Sequence, residues 1–465
     1  MSTKAPRGLA IAGPAPFENA SPVDDEHQAT TRRRRSWGER PQWAPGGLWR
    51  HPDFMWLWAA DSVSQFGSQI TLLALPLTAA LTLDATAAQM GFLTAAGTLP
   101  WLLIGLFVGA WVDRRPRRPV LVAADVGRTL LLLAVPAAWA LDALSIELLY
   151  AVAFLVGCLT VFFDVAYLAF LPALVRRDQL LEGNSKLGAS ASVAQFAGPG
   201  VAGGLVSLVS APFAILLDAL SFLLSAFFLR RIQAEEPAPA PTVSGRQVRA
   251  DIIEGLGAVL RDPILRAITG CGATTTLFGY AFLAVYVLYL TDHLGLGPGA
   301  IGAVFAIGGV GALLGAMAAG PAARRFGVGP TIIGARLLVG LGGMMIPVAV
   351  LVPAVALPLV VAAEFFQWLM LVLADVNSLS LRQAVTPDRL QGRVNATYRV
   401  MVWGFQPVGA LLGGALGSLF GPPSALVIGV LGMLAAVGWV YWSPMRGLSE
   451  APVPEAAGEM EAAAA

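Results

Sequence analysis

The sequence predicts an all-α membrane protein with twelve transmembrane helices, arranged as two six-helix bundles related by a parallel repeat. Three observations carry this: the composition, the number of apolar runs, and the alternation of arginines between loops. Of the residues, 56% are hydrophobic and only 13% are charged, with a mean hydropathy of +0.70, a balance outside that of soluble domains. A net charge of +1 gives no basic field for nucleic acid, so the basic residues inform through their positions. Cys158 and Cys271 both lie inside apolar runs, which argues for packing and against a disulfide framework.

Residues 1–47, rich in Pro, Ala and charge and including Arg32 to Arg35, lack the apolar core of a signal peptide and are expected to form a disordered cytoplasmic tail. A span needs about 20 apolar residues, and the runs fall at 54–80, 87–112, 118–140, 146–172, 186–210, 212–232, 264–291, 299–323, 330–351, 354–380, 396–420 and 423–443. Arginines crowd the loops after the second, fourth, sixth, eighth, tenth and twelfth runs, for example Arg114 to Arg118, Arg176, Arg230, Arg324, Arg389 and Arg446. The opposite loops carry Asp84, Asp142 and Asp292. The positive-inside rule then puts both termini in the cytoplasm, and a single missed span would invert every later loop. The expected layout is a first bundle over 48–233, a cytoplasmic linker over 234–258, a second bundle over 259–445 and a cytoplasmic tail over 446–465.

The halves repeat. Arg50-His51-Pro52 returns as Arg261-Asp262-Pro263, Gly109 as Gly320 and Asp164-Val165 as Asp375-Val376, each 211 residues on. Asp178 and Leu180 return as Asp388 and Leu390 at 210. Six spans bring each half back to the same side, so the repeat axis lies along the membrane normal.

The loop after the second span reads Gly109-Ala-Trp-Val-Asp113-Arg114-Arg-Pro-Arg117-Arg118, which resembles the signature of the major facilitator superfamily, with Pro116 where Gly is usual. The resemblance implies that Gly109, Asp113, Arg114, Arg117 and Arg118 latch the cytoplasmic ends of the halves in the outward-open state. The arginine forks suit a carboxylate such as Asp125. The second-half copy is degenerate, with Arg324 in place of the aspartate. In the fifth span Gly198-Pro199-Gly200-Val201-Ala202-Gly203-Gly204 is similar to an element of the family's exporters. Its small residues suit close helix contact. Over 48–442 the chain is most like the branch holding bacterial multidrug and macrolide efflux pumps and the enterobactin exporter, which implies a bacterial cytoplasmic membrane. The arginine common in the fourth span of proton-coupled drug antiporters has no match between Tyr150 and Tyr167.

An ionised side chain at the bilayer centre costs about 2.5–3.5 kcal/mol, so depth ranks the acids. Glu364 lies roughly 15 Å from the outer end of the tenth run, near the midplane, and is the first candidate for proton coupling. Asp61, roughly 10 Å into the first run, is followed by Ser62, Ser64, Gln65, Ser68 and Gln69; it is the second candidate, and Asp218 beside Ser221 the third. In the family the first, fourth, seventh and tenth helices line the cavity. That implies Gln65, Gln69, Tyr280, Tyr286, Phe365, Gln367 and Trp368 around a small-molecule substrate, an aromatic and weakly polar setting for a bulky amphipathic or cationic compound.

These features together point to a secondary active antiporter that exports a drug-like or secondary-metabolite compound as a monomer in the lipid bilayer, exchanging it for protons. A lipid translocase or a non-transporting sensor on the same scaffold stays open. No phosphate-binding loop, His-Glu-x-x-His or Gly-x-Ser-x-Gly occurs in the sequence, so no enzyme, cofactor or metal is expected.

Overall fold

The computed structural model describes residues 47–112, 114–234, 236 and 245–450, with no account of the side chains at 106, 110 and 245–252. The expected tail at 1–46, Asp113 of the signature, most of the first part of the linker and residues 451–465 lie outside the described residues. The chain divides into two units, Met1–His51 and Pro52–Ala465. In the first, Leu48–Arg50 forms a 3-10 turn.

The described residues of the second unit form helices and their connections, with no strand: α1 (Pro52–Thr82), α2 (Ala87–Val112), α3 (Arg117–Ala140), α4 (Ile146–Leu174), α5 (Leu180–Val209) and α6 (Ala211–Arg231), then α7 (Gly245–Arg261). There follow α8 (Pro263–Leu288), α9 (Pro298–Phe326), α10 (Val328–Val348), α11 (Ala356–Val385), α12 (Asp388–Trp403), α13 (Phe405–Phe420), α14 (Pro422–Ala435) and α15 (Val437–Tyr441). Among the described residues, eleven helical segments are long and apolar enough to cross a membrane, with α12–α13 and α14–α15 each counted as one. The remaining long helix, α1, has 31 residues and carries the polar series from Asp61 to Gln69.

Local chemistry sets the ends. Ser145 caps α4 by accepting from the Leu148 N–H at 3.4 Å, and Asp262 caps α8 by accepting from Ile264 and Leu265 at 2.8 Å. Pro116 offers α3 no side-chain cap, and the Glu236 carboxylate, far along the chain, accepts from the N–H groups of Arg117 and Arg118 at 2.5 and 2.7 Å. The Arg118 side chain serves the opposite pole of α6, donating to the carbonyls of Leu229, at 3.0 Å, and Arg230.

Three elements differ from the sequence expectation. The eleventh run begins at Asp388, ahead of 396, as α12 breaks at Gly404 before α13. The fifth begins at Leu180, ahead of 186, where Lys186 pairs with Glu182 at 2.8 Å and so joins the helix. The expected linker is helical from Gly245, and this helix, α7, runs past 258 to Arg261; its Glu254 pairs with Arg389 at 3.0 Å and with Arg393, tying it to α12.

Packing follows the repeat. Helices α1·α6, α3·α6, α2·α4, α3·α4 and α1·α5 pack together, and the matching pairs α8·α14, α10·α14, α9·α11, α10·α11 and α8·α13 do so in the second half. The halves meet along α5·α9 and α2·α13. A Cβ on Gly203 would lie 2.6 Å from Gly302 Cα and the Pro298 carbonyl, and one on Gly91 would lie 2.7 Å from Gly414 Cα and the Ala410 carbonyl. Backbones thus touch near the arginine-poor loops. Toward the arginine-rich ends, Gly109 and Gly188 face open space.

The turn between α5 and α6 sits at Ser210, φ 86° and ψ 159°, and its counterpart 211 residues on is Gly421, φ 83° and ψ 155°. A serine there is strained by roughly 1–3 kcal/mol, whereas glycine is not. Ser210→Gly is therefore expected to raise the thermal unfolding midpoint in detergent by roughly 2 °C, and Gly421→Ser to lower it, in a tryptophan-fluorescence melt.

Candidate functional site

A cavity among the described residues lies wholly in the second half. It encloses 480 Å³, and its walls come from α8, α9, α10, α11, α12 and α14. Its polar centre is Glu364 on α11, only 2% exposed. Tyr286 of α8 donates its hydroxyl to Oε2 at 2.8 Å, and Trp368, one turn on, donates Nε1 to Oε1 at 2.8 Å. Aromatic neighbours hold Tyr286: Phe282 at 5.0 Å and Phe305 edge-on at 5.6 Å. A Cβ on Gly308 of α9 would come within 2.8 Å of both Glu364 Cγ and Trp368 Cδ1, so that glycine leaves the room the pair occupies.

Both carboxylate oxygens thus accept from neutral donors. The indole N–H can only donate, whereas a tyrosine hydroxyl can turn and accept. The arrangement is therefore compatible with either form of Glu364, because a hydroxyl that donates to a carboxylate can turn to accept from a carboxylic acid.

Of the residues expected around the substrate, the structure brings Tyr280, Tyr286, Gln367 and Trp368 together with Glu364. Phe365 is not on the cavity wall, and its carbonyl backs onto Gly311 of α9. Asp61, Gln65 and Gln69 also stand apart from it, on α1 in the first half. Gln69 packs on Gly198, where a Cβ would lie 2.5 Å from its Cβ, and Asp61 is 3% exposed. Asp218 accepts from Ser221 at 3.0 Å against Gly67 of α1, in a helix–helix contact. In the α5 element, Gly198 meets α1 and Gly203 meets α9 across the halves, while Gly204 faces open space.

Asp125 does not meet the loop arginines. It is fully buried and accepts from Arg128, one turn on, whose guanidinium lies 4.3 Å from the Phe163 ring centre and 4.0 Å from that of Phe222. Arg114 is exposed, and Arg118 is engaged on α6 as described. The local i,i+3 pair wins because Asp125 points into the bundle, away from the loop.

Arg128 and Arg336 are the residues the sequence reading missed. Each lies in the third helix of its half, at Gly-Arg-Thr-Leu-Leu and Ala-Arg-Leu-Leu, and is 3% and 5% exposed respectively. Arg336 donates to Asp375 of α11, and both line the cavity. The signal was present: the cost argument applied to buried acids holds equally for an arginine inside an apolar run.

With the geometry in place, relatives give it a context. The family described as transmembrane secretion effector matches residues 41–461, and the chain belongs to it, within the major facilitator superfamily. It is a family of transporters, and this chain is a multi-pass membrane protein. The multidrug efflux pump Tap of Mycolicibacterium fortuitum is 28% identical over 418 residues, 87% of this chain and 99% of that one. The enterobactin exporter EntS of Escherichia coli O127:H6 is 27% identical over 286 residues, 58% of this chain and 65% of its own. In fold, the chain is similar to a bacterial homologue of the iron transporter ferroportin in its inward-facing state, with TM-score 0.67, 17% identity and coverage of 85% and 98%. The outward-facing structure gives 0.54 at 18% identity, over 83% of this chain and 97% of that one.

Removing one donor from a buried carboxylate costs about 1–3 kcal/mol. Tyr286→Phe is expected to lower the unfolding midpoint in detergent, and to lower it more at alkaline pH, where Glu364 is ionised, than at acid pH, where it is protonated. In a Glu364→Gln background the pH dependence of that loss is expected to vanish. A loss equal at all pH values would show that Tyr286 serves packing alone.

Proposed function

We propose that this protein is a secondary active exporter of a bulky amphipathic small molecule, driven by protons entering through Glu364. The observation that carries this is the carboxyl group itself, buried at mid-helix on the wall of a 480 Å³ aromatic cavity and bonded, among the described residues, by the neutral donors Tyr286 and Trp368. A group held between neutral donors can exchange a proton without breaking an ion pair. The likeness to a multidrug efflux pump and to an enterobactin exporter supports export.

In this reading α1 supplies the twelfth span, both termini face the cytoplasm, and one chain acts as a monomer in a bacterial cytoplasmic membrane. The helices of 52–231 and 263–441 are the two moving bundles. With the arginine-rich ends inside, contact near the opposite loops supports an inward-facing reading, as does the better superposition on an inward-facing relative. The signature loop latches the other state. Alternating access then exchanges the cavity between the two membrane faces.

One proton moving inward through 100 mV supplies about 2.3 kcal/mol, roughly a 40-fold electrical contribution to a gradient in one-for-one exchange. A single carboxyl suffices. Glu364→Gln keeps the size and one acceptor but fixes the group as neutral, so in proteoliposomes it is expected to abolish uphill export under a pH gradient while leaving downhill exchange. Asp61→Asn in parallel shows whether α1 shares the role. Undiminished uphill transport by Glu364→Gln, with unchanged pH dependence, would refute the assignment.

A further inference from the structure

The cavity has a second, cationic end. Arg382 lies five turns beyond Glu364 on α11, about 27 Å along the helix axis, and lines the cavity with Arg336, Asp375 and Tyr398. Arg336 and Asp375 compensate each other as an ion pair. Arg382 is 8% exposed and forms no ion pair among the described residues. Its Nε donates to Asn395 Oδ1 at 3.1 Å, and its guanidinium lies 3.7 Å from the centre of the Tyr398 ring. Both partners are neutral, and arginine does not shed its proton in proteins. Arg399 adds positive charge nearby.

This end of the cavity therefore carries an excess of one positive charge on its walls, in surroundings where a Coulomb interaction is stronger than in water. The wall also carries an aromatic and apolar stretch, Tyr280, Leu283, Trp368 and Trp403, beside Thr275, Thr276 and Gln367. We propose that the cavity takes an amphipathic acid, with its carboxylate, phenolate or phosphate on Arg382 and its apolar body along the aromatic wall. A guanidinium fork matches such oxygens in pairs. A cationic compound would bring its charge toward Arg382, while Asp375 is already engaged by Arg336. The inference rests on this cavity being the substrate site.

The test uses two fluorescent probes that differ only in charge, dansylglycine and dansylglycinamide, with the full chain in phosphatidylcholine nanodiscs. Losing one charge-assisted contact is expected to cost about tenfold in affinity. The wild type should bind the acid about tenfold more tightly than the amide. Arg382→Gln should remove that preference without changing amide binding, which also reports that the variant is folded, and Arg382→Lys should keep part of the preference. Equal binding of the two probes by the wild type, or a preference that survives Arg382→Gln, would overturn the proposal. Displacement of the acid by phosphatidylglycerol would put the acidic group on a lipid, and no displacement on a soluble compound; either outcome keeps acid recognition. Transport in proteoliposomes separates the two readings. If neither probe moves although the preference holds, the site stands and export falls. If both move equally and no preference is found, export stands and acid recognition falls.

Discussion

A bare charge at the middle of a bilayer costs about 2.5–3.5 kcal/mol, and a backbone polar group left unpaired there costs several. That penalty decides which face of each helix turns inward. Arg128 is sheathed by Phe163 and Phe222 and paired with Asp125, Arg336 is paired with Asp375, and Glu364 takes two neutral donors. Each inward polar residue fixes the rotation of its helix, and the outward faces are left to leucine, phenylalanine and valine, as with Leu208 and Phe107. The cavity exists because, in the second half, these polar faces meet around open space and not around each other.

Close helix contact supplies the second constraint. Lipid is as apolar as leucine, so helices associate through packing and not through the exclusion of water. The seams between the halves accordingly use backbone against backbone, at Gly203 with Gly302 and at Gly91 with Gly414. Such seams hold without interlocking side chains, which suits surfaces that must part. The repeat governs both seams, while the buried arginines differ: Arg128 lies against the Phe163 and Phe222 rings, and Arg336 lines the cavity with Asp375.

Spans were legible because an apolar run of about 20 residues is a strong signal that owes nothing to tertiary contacts. Their ends were less so, since polar residues such as Lys186 and Arg389 lower the hydropathy there, yet sit in helices where they pair with Glu182 and Glu254. Helix α7 gives a weak signal for a similar reason: apolar residues such as Ile253, Leu256 and Val259 alternate with Arg246, Arg249, Asp251 and Glu254, which keeps the local hydropathy low. Glu364 could be picked out by depth alone. Tyr286 could be named as a cavity residue but not as its donor, because the contact spans 78 residues. Asp61 shows the opposite limit: its burial was foreseeable, but not that the cavity would form without α1.

The central claim is that the two halves exchange the cavity between membrane faces by moving against each other. Spin labels report this most directly, placed at Leu208 and Leu419 near the closed ends of the seams and at Leu181 and Phe326 near the arginine-rich ends, all four exposed positions in opposite halves pairwise. Under turnover in proteoliposomes, the Leu208–Leu419 distance is expected to lengthen as the Leu181–Phe326 distance shortens. Distances that stay fixed at both ends during transport would contradict the account.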